Sequence, residues 1–189
     1  MVAEAMELAD EAGLDKLTLS ALAVRLGVRQ PSLYKHVASL DALHRLISMR
    51  GKAEIGDVLA RAAIGRARDE ALVAMARAWR AWALEHPGRY QAAERGAAPG
   101  DAAHEAVARR TVEVIAAVMN GYGLDGADAI DAIRAYRAAL HGFVSLEANH
   151  GFAFPDDVDR SFDRLVQALA RAMSSWNDAS EPSREVPAG

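Results

Sequence analysis

The sequence predicts an all-α fold of about nine helices, on three observations. Apolar residues recur at spacings of three and four almost throughout, and strict alternation is nowhere sustained. Glycine and proline fall mainly between these periodic segments. Hydrophobic residues make up 51% and charged residues 25% of 189 positions, an ordinary globular balance with material for a sizeable core.

The first helix covers roughly 2 to 12, with Val2, Ala5, Met6, Ala9 and Ala12 at helical spacing, and ends at Gly13. A second starts after Thr18, a good N-cap, and buries Leu19, Leu22, Ala23 and Leu26. Gly27 follows as a left-handed residue beyond the helix end. Val28 and Arg29 complete a short turn. Pro31 suits the first position of a short third helix, where no amide hydrogen is needed, and Leu33 and Val37 share one face. Ser39 caps a fourth helix with Asp41 in its first turn. That helix runs to about 63, with Gly51 and Gly56 as weak points. A long helix after Arg66 stops at His86-Pro87-Gly88. Residues 96–101, GAAPGD, form a loop, and helices follow over about 102–121 and 126–149. The stretch HGFAFPDD breaks the chain, and Pro155, Asp156 and Asp157 open the last helix. The expected division is 1–47, 48–176 and a polar, disordered tail over 177–189.

The composition excludes several classes. Cysteine is absent, so disulfides and thiolate metal sites are not expected, in keeping with a cytoplasmic chain. Met1 runs into an amphipathic segment with acids, so no leader is expected. No apolar run is long enough to span a bilayer, so no membrane partner is expected. The six histidines show no zinc spacing, and there is no nucleophile elbow, phosphate loop or dinucleotide fingerprint. No metal, no cofactor and no catalytic residues are expected. The net charge is −4, yet residues 18–52 hold six bases (Arg25, Arg29, Lys35, Arg45, Arg50, Lys52) against Asp41. That +5 segment leaves −9 for the rest and suggests one surface facing a polyanion.

The segment GVRQPSLYKHV carries the sharpest signal. Two short helices joined by a glycine turn make a helix-turn-helix. Ala23 is small enough for close crossing, and Leu22, Leu26, Val28 and Leu33 are expected to pack beneath. The outer face of the second helix then fits a DNA major groove, about 12 Å wide. Gln30, Ser32 and Lys35 lie on that face, where Gln suits adenine and Lys suits guanine. Arg29, Tyr34 and His36 reach phosphates. The same corner occurs in helical proteins whose polar groups are merely solvated. Spacing alone therefore leaves open a helical scaffold or ligand-binding dimer, or a helical enzyme.

Residues 17–43, LTLSALAVRLGVRQPSLYKHVASLDAL, resemble the DNA-binding domain of the tetracycline-repressor (TetR) family, and the resemblance runs from about Val2 to Ile47. It implies a ligand-responsive transcriptional regulator, usually a repressor, which binds a palindromic double-stranded DNA operator as a homodimer and is released by a small-molecule effector. By that resemblance Gln30, Pro31 and Ser32 face bases, and Tyr34 and His36 lie on the backbone. Ser20 at the start of the second helix also meets DNA, and Thr18, Arg29, Lys35 and Ser39 complete the set. Relatives commonly carry a phosphate-binding lysine after the serine that caps the fourth helix. This sequence has Leu40 there.

In that family the remainder forms a helical domain that binds the effector and dimerises. AWALEHPGRY (81–90) and YRAALHGFVSLE (136–147) resemble a subgroup named for a Trp-His-Gly motif, with Leu140-His141-Gly142 in its place here. Met75, Trp79, Trp82, His86, Tyr90, Met119, Tyr122, Tyr136, Leu140, His141 and Phe143 are large groups in alanine-rich helices, and they are expected to line a pocket for an apolar or amphipathic ligand. Ordinary core packing is the alternative for each of them. Gly142 is expected to let two helices approach closely. Val158, Phe162, Leu165, Leu169, Ala172 and Trp176 repeat at four, three, four, three, four and are the expected dimer seam.

Overall fold

The computed structural model describes residues 1–155 and 157–176. Among these residues every regular element is helical: eight α-helices and two 3₁₀ turns. Asp156 and the tail expected over 177–189 lie outside the described residues. Two compact units divide the chain. One takes Met1–Leu59 and Ala78–Val112, the other Ala60–Arg77 and the residues from Glu113 onward.

The first unit opens with α1 (Val2–Ala12), which ends at Gly13. A 3₁₀ turn over Leu14–Lys16 follows, unmarked by any periodicity, and buries Leu14 and the adjoining Leu17. Helix α2 (Leu19–Arg25) is capped by Thr18, whose Oγ1 accepts the Ala21 N–H at 3.0 Å. At its end Gly27 adopts φ +66°, the left-handed region where a side chain is costly. There the Gly27 N–H donates to Val24 O at 3.1 Å and the Val28 N–H to Ala23 O at 3.0 Å, the paired bonds of a Schellman ending. The expected third helix is instead a 3₁₀ element, Gln30–Lys35. Its bonds span three residues, as with Ser32 N–H to Arg29 O at 2.9 Å and His36 N–H to Leu33 O at 2.8 Å.

Ser39 caps α3 (Leu40–Ala63), accepting the Ala42 N–H at 3.0 Å. That helix runs unbroken through Gly51 and Gly56, which are sites of close approach rather than weak points. A Cβ at Gly51 would lie 3.0 Å from Arg89 O, and one at Gly56 3.0 Å from the Thr111 hydroxyl. Ala5, Met6, Ala9, Leu22, Leu33, Val37, Leu43 and Ile47 form a buried core. The larger of these side chains each contribute about 1.5–3 kcal/mol on burial. Val28 does not join them: it is 44% exposed, because the Schellman ending turns it outward.

Helix α4 (Arg68–Glu85) stops near the expected place, but the chain does not unravel there. Pro87 instead starts α5 (Pro87–Ala93), occupying its first turn. Helix α5 packs on α1, and Gly88 is the contact. An added Cβ would overlap the Ala9 carbonyl and sit 2.7 Å from the Asp10 nitrogen. Helices α6 (Ala102–Asn120), α7 (Gly126–Ala148) and α8 (Val158–Ser174) complete the order.

In the second unit α7 packs against α8. Asp157 caps α8 through the Arg160 N–H at 3.1 Å. The side chains that α8 buries within its own chain are Phe162, Val166, Ala170 and Met173. The expected dimer seam therefore splits. Phe162 is 1% exposed and belongs to the subunit core, while Val158, Leu165, Leu169 and Trp176 are half-buried and Ala172 is exposed. Gly142 also differs from expectation within the single chain, because a Cβ there meets nothing within 4 Å among the described residues.

Candidate nucleic-acid interface

Leu33 and Val37, 3% and 4% exposed, anchor the 3₁₀ element to the core. Everything else the sequence marked there faces out: Arg29, Gln30, Pro31, Ser32, Tyr34, Lys35 and His36 are all exposed, as are Thr18, Ser20 and Ser39. Tyr34 leaves 52% of its surface in solvent. The Thr18 and Ser39 oxygens accept helix-start amides, which leaves each O–H available to donate. Leu40 is partly buried against the core of this unit. That position is occupied by packing, and no cation stands there.

The basic segment is not one surface. Arg25 is held by Glu4 and Glu11 of α1, with Nη2 2.8 Å from the Glu11 Oε1. Arg45 forms a bidentate pair with Asp101, and Arg50 lies 3.5 Å from Glu54. Lys52 donates to the carbonyls of Ala93 and Arg95. Among the described residues, Arg29 and Lys35 are the members of that segment without an ion-pair partner. The +5 segment thus presents two unneutralised cations, and they flank the reading element.

The residues expected to line a pocket divide between the units. In the first, Trp79, Trp82, His86 and Tyr90 form a ring cluster. Tyr90 meets Trp79 and Trp82 edge-on at 6.4 and 6.3 Å, Trp82 meets His86 at 5.6 Å, and the Trp79 indole donates to the Tyr90 hydroxyl at 3.2 Å. His86 Nδ1 lies 3.3 Å from Asp10. In the second, Met75, Met119, Tyr122, Tyr136 and Leu140 are buried. The Tyr136 hydroxyl donates to Leu72 O at 2.8 Å and the Tyr122 hydroxyl to Asp69 at 2.8 Å, and burial pushes both phenols up. His141 is half-buried, 3.5 Å from the Ser145 hydroxyl. Phe143 stacks between Phe152 at 4.8 Å and Phe162 at 5.1 Å. It borders an open apolar cleft of about 400 Å³ shared with Phe152, Ala153, Phe154, Val158 and Ser161. Phe154 stands there 80% exposed.

One constellation escaped the sequence. Ser48 Oγ lies 3.1 Å from His104 Nε2, and His104 Nδ1 lies 3.9 Å from Asp101. The order imitates an acyl-transfer triad. Ser48 is 0% exposed, however, so no substrate carbonyl reaches it, and Asp101 is committed to Arg45. The three residues are 53 or more positions apart except for the His104–Asp101 pair, so no local spacing announces them.

An exposed polar face on a short helix, seated by a glycine corner on a three-helix core, defines a helix-turn-helix DNA-binding regulator. Comparison with known proteins gives the family. Residues 2–47 match the profile of bacterial regulatory proteins of the tetR family, and residues 72–169 match the tetracyclin repressor-like C-terminal domain. The chain is 42% identical to an uncharacterized HTH-type transcriptional regulator, Rv0681 of Mycobacterium tuberculosis, over 92% of its length and 79% of the relative's. It is 34% identical to another, YobS of Bacillus subtilis, over 89% and 88%. The fold superposes on a crystal structure of a TetR variant from Acinetobacter baumannii in complex with minocycline, with a TM-score of 0.70 at 23% identity, covering 95% and 96% of the two chains. The chain belongs to the TetR family of transcriptional regulators. Among the described residues no helix is long and apolar enough to cross a membrane.

Proposed function

We propose that the chain is a cytoplasmic, homodimeric repressor that acts by binding rather than catalysis. Residues 1–47 carry the reading head and 48–176 the regulatory and dimerising part, of the Trp-His-Gly type. The observation that supports the reading best is the 3₁₀ element: its inner residue Leu33 is buried and its outer residues are polar and exposed. Gln30, Pro31 and Ser32 meet base edges. Thr18, Ser20, Arg29, Tyr34, Lys35, His36 and Ser39 meet the backbone or, in the case of Lys35, a guanine. One such element reads few bases, so two are needed, about 34 Å apart on a palindrome.

The second copy pairs through α7 and α8. The half-buried Val158, Leu165, Leu169 and Trp176 and the open surface at Gly142 support that placement. An apolar or amphipathic effector binds the regulatory part and favours a spacing of the reading heads that the operator does not fit. The cleft beside Phe143 supports an apolar ligand class. The deciding experiment is selection of duplexes from a random library by the full chain. A palindromic consensus is expected; enrichment of no sequence overturns the reading.

A further inference from the structure

Along α3, Asp41, Arg45, Ser48 and Lys52 recur at spacings of four, three and four, which sets them in one stripe. The stripe faces residues 93–104. Arg45 holds Asp101, Ser48 meets His104, and Lys52 closes on the carbonyls of Ala93, the last residue of α5, and of Arg95 beyond it. Arg95 in turn reaches Asp41 at 3.2 Å and lies 3.4 Å from His44 Nδ1. The same turns of α3 place Leu43 and Ile47 in the core that seats Leu33 and Val37. The polar seam and the reading element therefore grip different sides of one helical segment.

His104, 3% exposed, is the sensitive member. The charged groups around it are Arg45 and Lys52 from α3 and Asp101 at the start of α6. Ser48 completes its hydrogen-bonding surroundings. Asp101 is occupied by Arg45. With its proton on Nδ1, a neutral imidazole accepts the Ser48 O–H at Nε2, and the Ser48 oxygen is left for Lys52 Nζ at 3.3 Å. A protonated ring reverses the bond: Nε2 becomes a donor, the Ser48 O–H is left with the Arg95 carbonyl at 3.4 Å, and one hydroxyl oxygen must serve two cations. Burial opposes that charge and Lys52 repels it, which holds His104 below its ordinary range.

We propose that Ser48 and His104 are positioning residues for operator binding: the seam is a proton-sensitive clasp that holds α3, and with it the reading element, in the DNA-competent arrangement, and it opens when His104 takes a proton. The proposal rests on the DNA-binding reading above. Its sign is definite. The closed clasp excludes the proton, so operator affinity falls as pH drops through the histidine range.

The test uses the full chain and a duplex selected at pH 8. Histidine side chains are titrated by NMR with and without that duplex. The His104 pKa is expected to fall when the duplex binds. In parallel, the dissociation constant is followed from pH 8 to 6 for the unaltered chain and His104→Gln, so that every other group is common to both. The ratio is expected to change by about tenfold per unit of difference in the His104 pKa between bound and free protein. A His104 pKa unmoved by a duplex that binds overturns the clasp, and the unaltered chain decides this even if the variant fails to fold. Failure to select any duplex at pH 8 overturns the DNA reading itself and takes the clasp with it.

Discussion

Asp10 of α1 holds Arg89 of α5 twice: its Oδ1 accepts the Arg89 backbone N–H at 2.8 Å, and its Oδ2 lies 2.8 Å from the guanidinium Nε. Both side chains are nearly enclosed, at 11% and 12% exposure. Glu7 and Glu54 also face the Arg89 guanidinium, so Asp10→Ala leaves the charge compensated but orphans the enclosed Arg89 backbone N–H and Nε. Asp10→Ala is expected to cost about 1–3 kcal/mol in denaturant unfolding. The exposed pair Arg134–Asp131 is the control, and Arg134→Ala should cost under about 0.5 kcal/mol. Equal effects would show that the enclosed pair has no special weight.

Gly88→Ala forces a methyl group into the α1 backbone at Ala9 and Asp10. Neither helix can yield without losing the buried pair beside it. A loss of about 3 kcal/mol or more is expected, together with loss of DNA binding because α1 is part of the reading head. A variant with unchanged melting temperature contradicts the packing described.

The two open cations make a quantitative statement about DNA. Each phosphate neutralised contributes about −0.9 to the slope of log affinity against log salt. Two cations on each of two heads give a slope of about −3 to −4. Lys35→Ala should flatten it and weaken binding, whereas Gln30→Ala should relax preference at one base pair, by about 1–3 kcal/mol. Leu40→Lys adds one cation to each head, so it should strengthen binding and steepen the slope by about two. A Leu40→Lys chain with unaltered salt dependence would remove that position from the DNA face.

The two stripes of α8 separate folding from pairing. Leu165→Asp is expected to give folded monomers by light scattering, since Leu165 is half-buried in the single chain. Phe162→Ala instead empties the core and should cost about 3–5 kcal/mol. Gly142→Ala should stabilise the isolated subunit by about 0.5–1 kcal/mol as a helix-interior exchange, while raising the dimer dissociation constant. A Leu165→Asp chain that remains dimeric refutes the proposed pairing face.

Acid should destabilise the fold in two stages. His104 and His44 are held below their ordinary range, chiefly by burial, with Lys52 and Arg95 adding repulsion. The unfolded chain therefore binds protons first, and stability falls as pH drops from 7. Asp101 is pushed down to about 2 by the hydrogen bonds of Arg45, and Glu11 is lowered by those of Arg25. Their contributions are present above the ordinary carboxylate range and are lost between about pH 4 and 2. Denaturant midpoints across pH check the order; a flat profile from 7 to 5 contradicts the histidine stage.

Local chemistry was legible in the sequence. Gly13, Thr18, Gly27 and Ser39 mark helix ends through bonds made within five residues, and α6 and α7 follow from periodicity alone. What distant neighbours decide was not legible. Pro87 reads equally as a stop or as a first turn, and only the fit of Gly88 on α1 selects the second. Phe162 and Leu165 fall on adjoining strips of α8, and the sequence does not say which strip its own chain covers. Arg45 and Lys52 were read as charge; their partners lie 41 to 56 positions away. The six-residue reading element shows its anchors, but not that its turns tighten to 3₁₀.

That tightening has an evolutionary consequence. With three residues per turn, side chains three apart stand in columns. Pro31 lines up with Tyr34, and Ser32 with Lys35; Gln30 shares its column with the anchor Leu33. Two columns face outward over their whole length, and the third is exposed at Gln30 and tied to the core at Leu33. A lineage can rewrite its operator preference by exchanging Gln30 or residues of the outward columns and keep its fold. A single inserted residue would turn the element by a third of a circle and exchange a reading column for the anchoring one.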